Sequence, residues 1–191
     1  MAASVGPRFD AIVLAGGEGR RFGGDKALVE FDGESLLARA VNAVAGARHI
    51  VVVGEQRGGV TGVEWTQESP PGGGPVAALA AGLAAFGPDA EPLVAVVASD
   101  LPFVDAAAIE SLIAAAGGRD GAVAVDEGDN LNPLLAVYRT PRLQGVLSAN
   151  ASLTGAALLR VLSVLELAEV SLRAASDVDT EEELDRAREG Y

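Results

Sequence analysis

The sequence predicts an α/β fold in which helices cover both faces of a mostly parallel sheet, as a single three-layer α/β/α domain over residues 1–191. Short β-branched runs alternate with Ala- and Leu-rich stretches of helical length, which is typical of this class. Most of the runs are almost continuously apolar, as expected of strands buried on both faces. The 191 residues are 49% hydrophobic. Because no repeat, linker or change of composition divides them, we expect one core.

The predicted elements follow in chain order. The strands are Ala11–Leu14, Ile50–Val53, Leu93–Val97, Val123–Val125 and Leu134–Val137, with Val63–Thr66 as a shorter candidate. The helices are Glu34–Val44, Val76–Phe86, Asp105–Ala116, Pro141–Ala149, Gly155–Val164 and Glu181–Glu189. Asp105 is expected to cap its helix, and Thr180 with Glu183 forms a capping-box pattern. In such a sheet ligands bind beyond the carboxyl ends of the strands, so the chemistry is expected in the residues that follow each apolar run.

Composition excludes several classes of function. Against 14 Lys and Arg stand 27 Asp and Glu, a formal net charge of −13, which argues against non-specific binding of nucleic acid. The chain has no Cys and one His, His49, so thiol chemistry is excluded and a Ser-His triad or His-based metal site is disfavoured. Residues 1–10 lack the apolar segment of a signal peptide, and no run approaches the ~18 apolar residues of a membrane span. A cytoplasmic protein without a membrane partner is expected.

A glycine-rich segment follows the first predicted strand, over residues 14–26. Its glycines expose backbone N–H groups to a bound anion, and its cations suit phosphate oxygens. The Rossmann pattern fails because Phe22 stands where a glycine is required, and the Walker A pattern fails because Asp25 precedes the lysine. Phosphate binding is expected, and a flexible surface loop with solvated arginines is the alternative. The residues concerned are Gly16, Gly17, Gly19, Gly23 and Gly24, with Arg20, Arg21 and Lys26.

The pattern Leu-Ala-Gly-Gly-x-x-x-Arg-Phe-Gly-x-Asp-Lys at residues 14–26 resembles the signature loop of small nucleotidyltransferases with a GT-A-like, Rossmann-related fold. It is most similar to that of the molybdenum cofactor guanylyltransferases, which usually carry Met in place of Phe22. The resemblance implies that Arg21 and Lys26 are catalytic. It also implies that the nucleoside triphosphate is bound by Leu14, Ala15, Gly16, Gly17 and Lys26.

A second glycine-rich loop, residues 69–75, precedes the predicted helix Val76–Phe86. Taken alone it is a tight strand-to-helix connection in which Pro75 suits the first helical turn. The stretch is similar to the family's Pro-Gly-x-Gly-Pro-Leu-Ala-Gly loop, which lies beside the purine base. The resemblance implies that Gly73 contacts the nucleotide and that Glu68, where the family commonly has Asp, recognises guanine. An exposed loop carboxylate is the alternative for Glu68.

Asp100 follows the predicted strand Leu93–Val97 and is fixed by the turn at Pro102. A carboxylate at this position suits Mg²⁺, which prefers oxygen ligands, although Asp100 could also simply form the turn. The run resembles the family's Cys-Asp-x-Pro-Phe segment, which implies metal binding, nucleotide binding and catalysis for Asp100. The closing segment, Ser176-Asp-Val-Asp-Thr-Glu-Glu-Glu-Leu184, resembles the family's Asp-x-Asn-Thr-Pro-Glu-Glu-Leu motif. This similarity implies a second metal ligand at Asp179, with Asp177 as the alternative.

The resemblance implies transfer of GMP from GTP to Mo-molybdopterin with release of pyrophosphate, using Mg²⁺. Proteins that deliver or accept the cofactor are possible further partners. Asn132, where the family has His or Gln, is a candidate for the acceptor side and equally a strand-leading asparagine. Residues 150–158 lack the basic residue that the family often carries, which weakens the acceptor assignment. The alternatives are another acceptor, a CTP donor, or a nucleotide-binding module without catalysis.

Overall fold

The computed structural model describes residues 7–16, 25–150, 152–178 and 180–189. This part of the chain forms nine strands, six α-helices and three short 3₁₀ turns. The strands are β1 (Phe9–Leu14), β2 (Glu30–Phe31), β3 (Glu34–Ser35), β4 (Ile50–Val53), β5 (Glu64–Thr66), β6 (Leu93–Ala98), β7 (Gly121–Val125), β8 (Leu131–Arg139) and β9 (Leu167–Ser171). The α-helices are α1 (Leu36–Ala43), α2 (Pro75–Ala85), α3 (Ala106–Ala116), α4 (Thr140–Ser148), α5 (Leu158–Leu162) and α6 (Glu181–Arg188).

Seven of the strands form one sheet in the order β5-β4-β1-β6-β8-β7-β9, and β8 is antiparallel to both of its neighbours. The other pairs in this sheet are parallel. Alternate residues of β1 enter different cores: Ala11 and Val13 pack on the side of α1 and α3, whereas Ile12 and Leu14 pack on the side of α2, α4 and α5. The predicted α/β class with a mostly parallel sheet between helical layers is confirmed.

The structure differs from the sequence-based prediction near α1. Residues Glu34 and Ser35, predicted to begin the helix, instead form β3, which pairs with β2. Asp32 and Gly33 connect these strands with φ angles of 52° and 80°, the conformation that an Asp-Gly hairpin turn requires. The Ser35 hydroxyl caps the helix by accepting a hydrogen bond from the Ala38 N–H at 3.1 Å. The helix therefore begins at Leu36, two residues after the predicted start.

Two further differences lie in the second half of the chain. The strand β9 was not predicted, because it is the edge strand of the sheet and its residues are exposed or half-buried instead of uniformly apolar. The helix predicted over Gly155–Val164 is confined to Leu158–Leu162. Gly155 has a φ of 69°, which is outside the right-handed helical region, and this excludes a helix start at that residue.

The direction of strand addition reverses between β1 and β6. From β1 the chain adds β4 and β5 on one side, and it then crosses to place β6 on the other. Because β1, β4, β5 and β6 are mutually parallel, their carboxyl ends share one edge of the sheet. Such a reversal opens a crevice beyond the strand ends, where ligands of α/β proteins bind.

Candidate active site

Lys26 and Asp100 meet at the crevice between β1 and β6. Lys26 begins a 3₁₀ turn that is capped by Asp25, whose carboxylate accepts a hydrogen bond from the Ala27 N–H at 3.2 Å. Asp100 follows the buried strand β6 after one residue, Ser99. The Lys26 Nζ lies 3.1 Å from the Asp100 Oδ2, and the two side chains are 17% and 29% exposed. Two residues predicted to be catalytic are thus in direct contact although they are 74 positions apart.

The start of the glycine-rich segment is held by both neighbours of β1. The Ala15 N–H donates to the Val53 carbonyl oxygen at 2.9 Å, and the Ser99 N–H donates to the Leu14 carbonyl oxygen at 3.0 Å. Leu14 and Ala15 are both buried, whereas Gly16 is exposed at the mouth of the crevice. Burial of these two side chains leaves Gly16 as the exposed residue at this point of the segment.

Gly54, directly after β4, allows this close approach. A Cβ atom at Gly54 would lie 3.0 Å from both the carbonyl carbon and the carbonyl oxygen of Ala15, and the residue has a φ of 146°. Contact with backbone at this distance would force the chain apart, so only glycine fits here.

Arg57 is a residue of the site that the sequence analysis missed. Its guanidinium donates to the carbonyl oxygens of Ala15 at 2.9 Å and Glu55 at 2.8 Å, and its Nε is paired with the Asp25 carboxylate. The side chain is only 12% exposed. A usable signal was present, because Arg57 is a basic residue a few positions beyond the end of β4, at the edge where the chemistry was expected.

The second glycine-rich loop lies at the same edge, between β5 and α2. The Glu68 Oε1 accepts a hydrogen bond from the Gly72 N–H at 3.0 Å, and within the described residues the Oε2 makes no hydrogen bond. A Cβ at Gly73 would lie 2.9 Å from the Cβ of Ala77 and 3.5 Å from the Cγ of Glu68. The structure therefore brings Glu68 and Gly73 together and leaves one carboxylate oxygen available to a ligand.

The donor set around Asp100 suits a hard cation only in part. The Val178 N–H donates to the Asp100 carbonyl oxygen at 3.2 Å, so the closing segment runs beside Asp100. Among the residues that the structure describes, no three His, Cys, Asp or Glu side chains are grouped to hold a metal. A partly exposed carboxylate still fits Mg²⁺, which commonly takes one or two protein carboxylates together with water and substrate phosphates.

Asn132 is engaged in the fold. Its Nδ2 donates to the Ala175 carbonyl oxygen at 2.8 Å, and its Oδ1 accepts from the Leu134 N–H at 3.0 Å. These contacts order the start of β8 against the 3₁₀ turn Arg173–Ala175, which favours the reading of Asn132 as a strand-leading residue. The capping roles predicted for Asp105 and for Thr180 with Glu183 are confirmed.

Seven residues of the predicted site lie outside the described residues: Gly17, Gly19, Arg20, Arg21, Gly23, Gly24 and Asp179. Their roles stay predictions, as do the nucleotide and metal contacts of Leu14, Ala15, Gly16, Lys26, Glu68, Gly73 and Asp100. In the described part of the chain, no helix combines the length and the apolar character that a bilayer crossing requires.

The crevice at a strand-order reversal, with a glycine-rich segment, a lysine and a carboxylate at its edge, is the arrangement of a nucleotidyltransferase. Residues 11–170 match the family model of the MobA-like NTP transferase domain, and the chain belongs to this family.

Two curated relatives define the similarity further. A probable molybdenum cofactor guanylyltransferase of Opitutus terrae is 41% identical over 130 residues, which are 66% of this chain and 64% of that protein, just under two thirds of its length. A probable molybdenum cofactor guanylyltransferase of Natronomonas pharaonis is 30% identical over 197 residues, covering 93% of this chain and 96% of that protein.

Solved structures agree with this placement. Molybdopterin-guanine dinucleotide biosynthesis protein A of Archaeoglobus fulgidus superimposes with a TM-score of 0.72 at 26% identity, covering 95% of this chain and 97% of that one. The 2-C-methyl-D-erythritol 4-phosphate cytidylyltransferase of Thermus thermophilus has a TM-score of 0.69 at 19% identity, covering 95% and 98% of the two chains. The second likeness concerns the fold alone.

Proposed function

We propose that this chain is a molybdenum cofactor guanylyltransferase, which transfers GMP from GTP to Mo-molybdopterin and releases pyrophosphate. The observation that carries the proposal is the contact between Lys26 and Asp100 at the carboxyl end of β6, where the strand order reverses. The similarity to molybdenum cofactor guanylyltransferases and to a molybdopterin-guanine dinucleotide biosynthesis protein supports the choice of GTP and Mo-molybdopterin.

The reaction exchanges one phosphorus–oxygen bond for another. An oxygen of the acceptor's terminal phosphate attacks the α-phosphorus of GTP in line. The bond from that phosphorus to the bridging oxygen breaks, and pyrophosphate leaves with the electron pair. Because the attacking phosphate is already ionised, the protein needs no general base. Its contribution is to position the two substrates and to offset charge.

The cationic side chains have the leaving group as their target. Lys26, with Arg21, offsets the negative charge that builds on pyrophosphate in the transition state. Stabilisation of this kind is the largest single contribution in many enzymes when the charged group is held in advance. Lys26 is so held, because its turn is capped by Asp25 and its Nζ is fixed by Asp100.

Asp100, with Asp179, is proposed to hold Mg²⁺. A bound Mg²⁺ would supply positive charge against the oxygens of the α-phosphate. Asp100 is rigidly positioned for this role, since it follows the buried strand β6 and its carbonyl oxygen is fixed by Val178.

Selection of the base is proposed for the second glycine-rich loop. Guanine offers two donors, N1–H and the exocyclic amine, and a carboxylate is an acceptor for both. One oxygen of Glu68 accepts from Gly72, and the other makes no hydrogen bond to the residues that the structure describes. Glu68 also lies beside Gly73, where the loop has no side chain. A cytidine donor is the second candidate, because the fold is shared with a cytidylyltransferase.

The test begins with calorimetric titration of GTP, CTP, ATP and UTP in the presence of Mg²⁺. We expect tighter binding of GTP than of the other three, and then pyrophosphate release when Mo-molybdopterin is added. A preference for CTP would transfer the protein to the cytidylyl-transferring branch. Absence of binding by every triphosphate would contradict the proposal.

Glu68→Gln is the matched variant for base choice. The amide keeps an oxygen to accept from Gly72 but removes the negative charge, so we expect GTP to lose about tenfold in affinity while CTP is unaffected, as for one lost hydrogen bond to a charged group. Equal losses for both nucleotides would show that Glu68 supports the loop instead of reading the base.

A further inference from the structure

We infer that Arg57 is a positioning residue for triphosphate binding, which fixes the two flanks of the glycine-rich segment relative to each other. The inference rests on the proposed function, because it concerns the same nucleotide site. Arg57 belongs to neither glycine-rich loop. It lies in the connection after β4, the strand next to β1 in the sheet, and its side chain extends from there to Ala15 and Asp25.

The contacts of Arg57 join residues at the two ends of the segment. Its Nη1 is 2.9 Å from the carbonyl oxygen of Ala15, near the start of the segment, and its Nε is paired with the carboxylate of Asp25, near its end. A third bond, 2.8 Å long, runs to the carbonyl oxygen of Glu55 and fixes the guanidinium to its own loop. One side chain therefore sets where the segment begins and where it ends.

The effect reaches the predicted catalytic groups through Asp25. The two oxygens of Asp25 have different partners. Oδ2 pairs with Arg57, and Oδ1 accepts a hydrogen bond from the Ala27 N–H in the turn that begins at Lys26. Lys26 in turn places its Nζ 3.1 Å from Asp100. Moving Asp25 would move the turn that carries Lys26.

The same connection packs on the segment at a second point, independently of Arg57. Gly54 approaches Ala15 so closely that a Cβ would lie 3.0 Å from two of its backbone atoms. The connection therefore contacts the start of the glycine-rich segment through the backbone of Gly54 and through the side chain of Arg57.

The chemistry of the contact requires arginine. A guanidinium offers several N–H donors in a fixed planar fork, whereas lysine offers one compact charge at a single point. Three acceptors in different directions, with a side chain only 12% exposed, match the fork and not the ammonium group. The guanidinium of Arg57 is thus engaged by one carboxylate and two carbonyl oxygens of the chain itself.

The experiment compares Arg57→Met, Arg57→Lys and Asp25→Asn with the wild-type chain. Calorimetry gives the Kd of GTP with Mg²⁺, and pyrophosphate release gives kcat and KM for GTP. We expect Arg57→Met and Asp25→Asn to weaken GTP binding by about 10- to 100-fold, the loss expected for hydrogen bonds to a charged group. Arg57→Lys should recover little of the lost GTP affinity. The double variant Arg57→Met/Asp25→Asn should lose no more affinity than either single variant, because both changes break the same contact.

Arg142→Met is the matched control. Arg142 also pairs with a carboxylate, that of Asp120, but does so at the opposite edge of the sheet. We expect its GTP affinity to equal that of the wild type.

The outcome for Asp25→Asn separates positioning from direct contact. If Arg57 bound phosphate itself, removing the neighbouring negative charge would tighten GTP binding, and this result would overturn the inference. So would a full recovery of affinity in Arg57→Lys, or unchanged GTP binding in Arg57→Met while the wild type binds GTP. If the wild type binds no triphosphate, the proposed function fails and the inference fails with it. Should Arg57→Met not fold, Asp25→Asn decides alone.

Discussion

The ion pair between Lys26 and Asp100 joins two charges that are both largely shielded from solvent. Removing either partner leaves the other charge without its counter-ion, so each variant changes both the charge and the placement of the remaining group. For Asp100 a substitution that keeps the shape of the side chain is therefore the more informative one.

Asp100→Asn keeps the shape of the side chain and removes its charge. We expect kcat to fall by at least about 100-fold, the range seen when one electrostatic contact to a transition state is lost. Pyrophosphate release at saturating GTP and varied Mg²⁺ measures it. Activity close to that of the wild type would refute the role assigned to Asp100.

Lys26→Ala removes the cation assigned to the leaving group. Because this charge acts mainly on pyrophosphate in the transition state, we expect kcat to fall by more than the Kd of GTP rises. Steady-state kinetics combined with calorimetry gives the two values. A rise in Kd that accounts for the whole loss would show that Lys26 only binds the ground state.

Asp100 was expected from its position just after an apolar run and Lys26 as a cation of the glycine-rich segment, and the family resemblance implied a catalytic role for both. The structure places the two side chains in contact. The sequence analysis missed Arg57, whose role depends on the carbonyl of Ala15 and the carboxylate of Asp25 lying within reach of one side chain. Such a meeting is created by the parallel pairing of β1 and β4. A basic residue shortly after β4 is a signal for the location of Arg57, but the spacing of residues along the chain does not indicate its partners.

At the scale of elements, α2 packs directly on β1 through a helical glycine. A Cβ at Gly82 would lie 2.9 to 3.1 Å from three side-chain carbons of Ile12, which is fully buried. The helix therefore lies closer to the strand that carries the glycine-rich segment than an alanine would allow.

Gly82→Ala tests this close packing. Overfilling a core costs about 1–3 kcal/mol, whereas replacing a helical glycine by alanine gains about 1 kcal/mol, so we expect a net loss of about 1 kcal/mol. For a chain of this size the Tm should fall by about 2–4 °C in thermal unfolding.

Gly145→Ala in α4 is the control, because a Cβ there would meet no atom within 4 Å. This variant should gain about 0.5–1 kcal/mol from helix propensity alone. Equal Tm changes in the two variants would contradict the packing argument.

The hairpin of β2 and β3 shows where the prediction of elements was weakest. The Asp32-Gly33 pair is a strong turn signal, but two-residue strands are too short to produce an alternating pattern. Long, buried strands such as β6 were identified within one residue of their ends, because burial on both faces demands a continuous apolar run.

On the scale of the whole molecule, different groups of residues lie at the two ends of the strands. The carboxyl edge of β1 and β6 carries the candidate active site. The opposite edge carries a charged network in which Asp120 accepts hydrogen bonds from the Arg142 guanidinium and from the Glu166 N–H. This network ties β7, α4 and the residue before β9 together.

The network predicts a dependence of stability on pH. The Arg142 guanidinium, and then the Glu166 N–H, hold the pKa of Asp120 below its ordinary value. A carboxylate with a lowered pKa in the folded state adds stability that is complete above its unfolded pKa and is lost as the pH falls through the folded one. The loss therefore belongs below about pH 4.

Asp120→Asn should be less stable than the wild type at pH 7 and should show a smaller further loss between about pH 4 and pH 2. Urea unfolding over this range measures both changes. Asp129→Asn is the control, because the Asp129 side chain is exposed and forms no hydrogen bond among the described residues. GTP affinity at pH 7 should be unchanged in both variants. Parallel pH profiles of Asp120→Asn and the wild type would contradict the assignment.

The parallel character of the sheet was predicted from the alternation of elements, but the reversed direction of β8 was not stated. The short connection between β7 and β8, residues 126–130, closes on the Asp126 carboxylate, which accepts from the Gly128 and Asn130 N–H groups at 2.8 Å. A connection of this length is compatible only with antiparallel neighbours, since parallel ones need a long crossover. Loop length is therefore the signal that would have given the direction of β8.

Because β1 lies between β4 and β6, it can pair with its two neighbours only at different times during synthesis on the ribosome. The first strand is synthesised early, its partner β4 follows, and its second partner β6 comes only after α2 has been made. Until then one edge of β1 has unpaired backbone N–H and C=O groups, and such an edge can pair with strands of other chains. Lys26 of the candidate active site is thus translated well before Asp100, its partner in the ion pair. The nascent chain has most need of protection from misassembly in that interval.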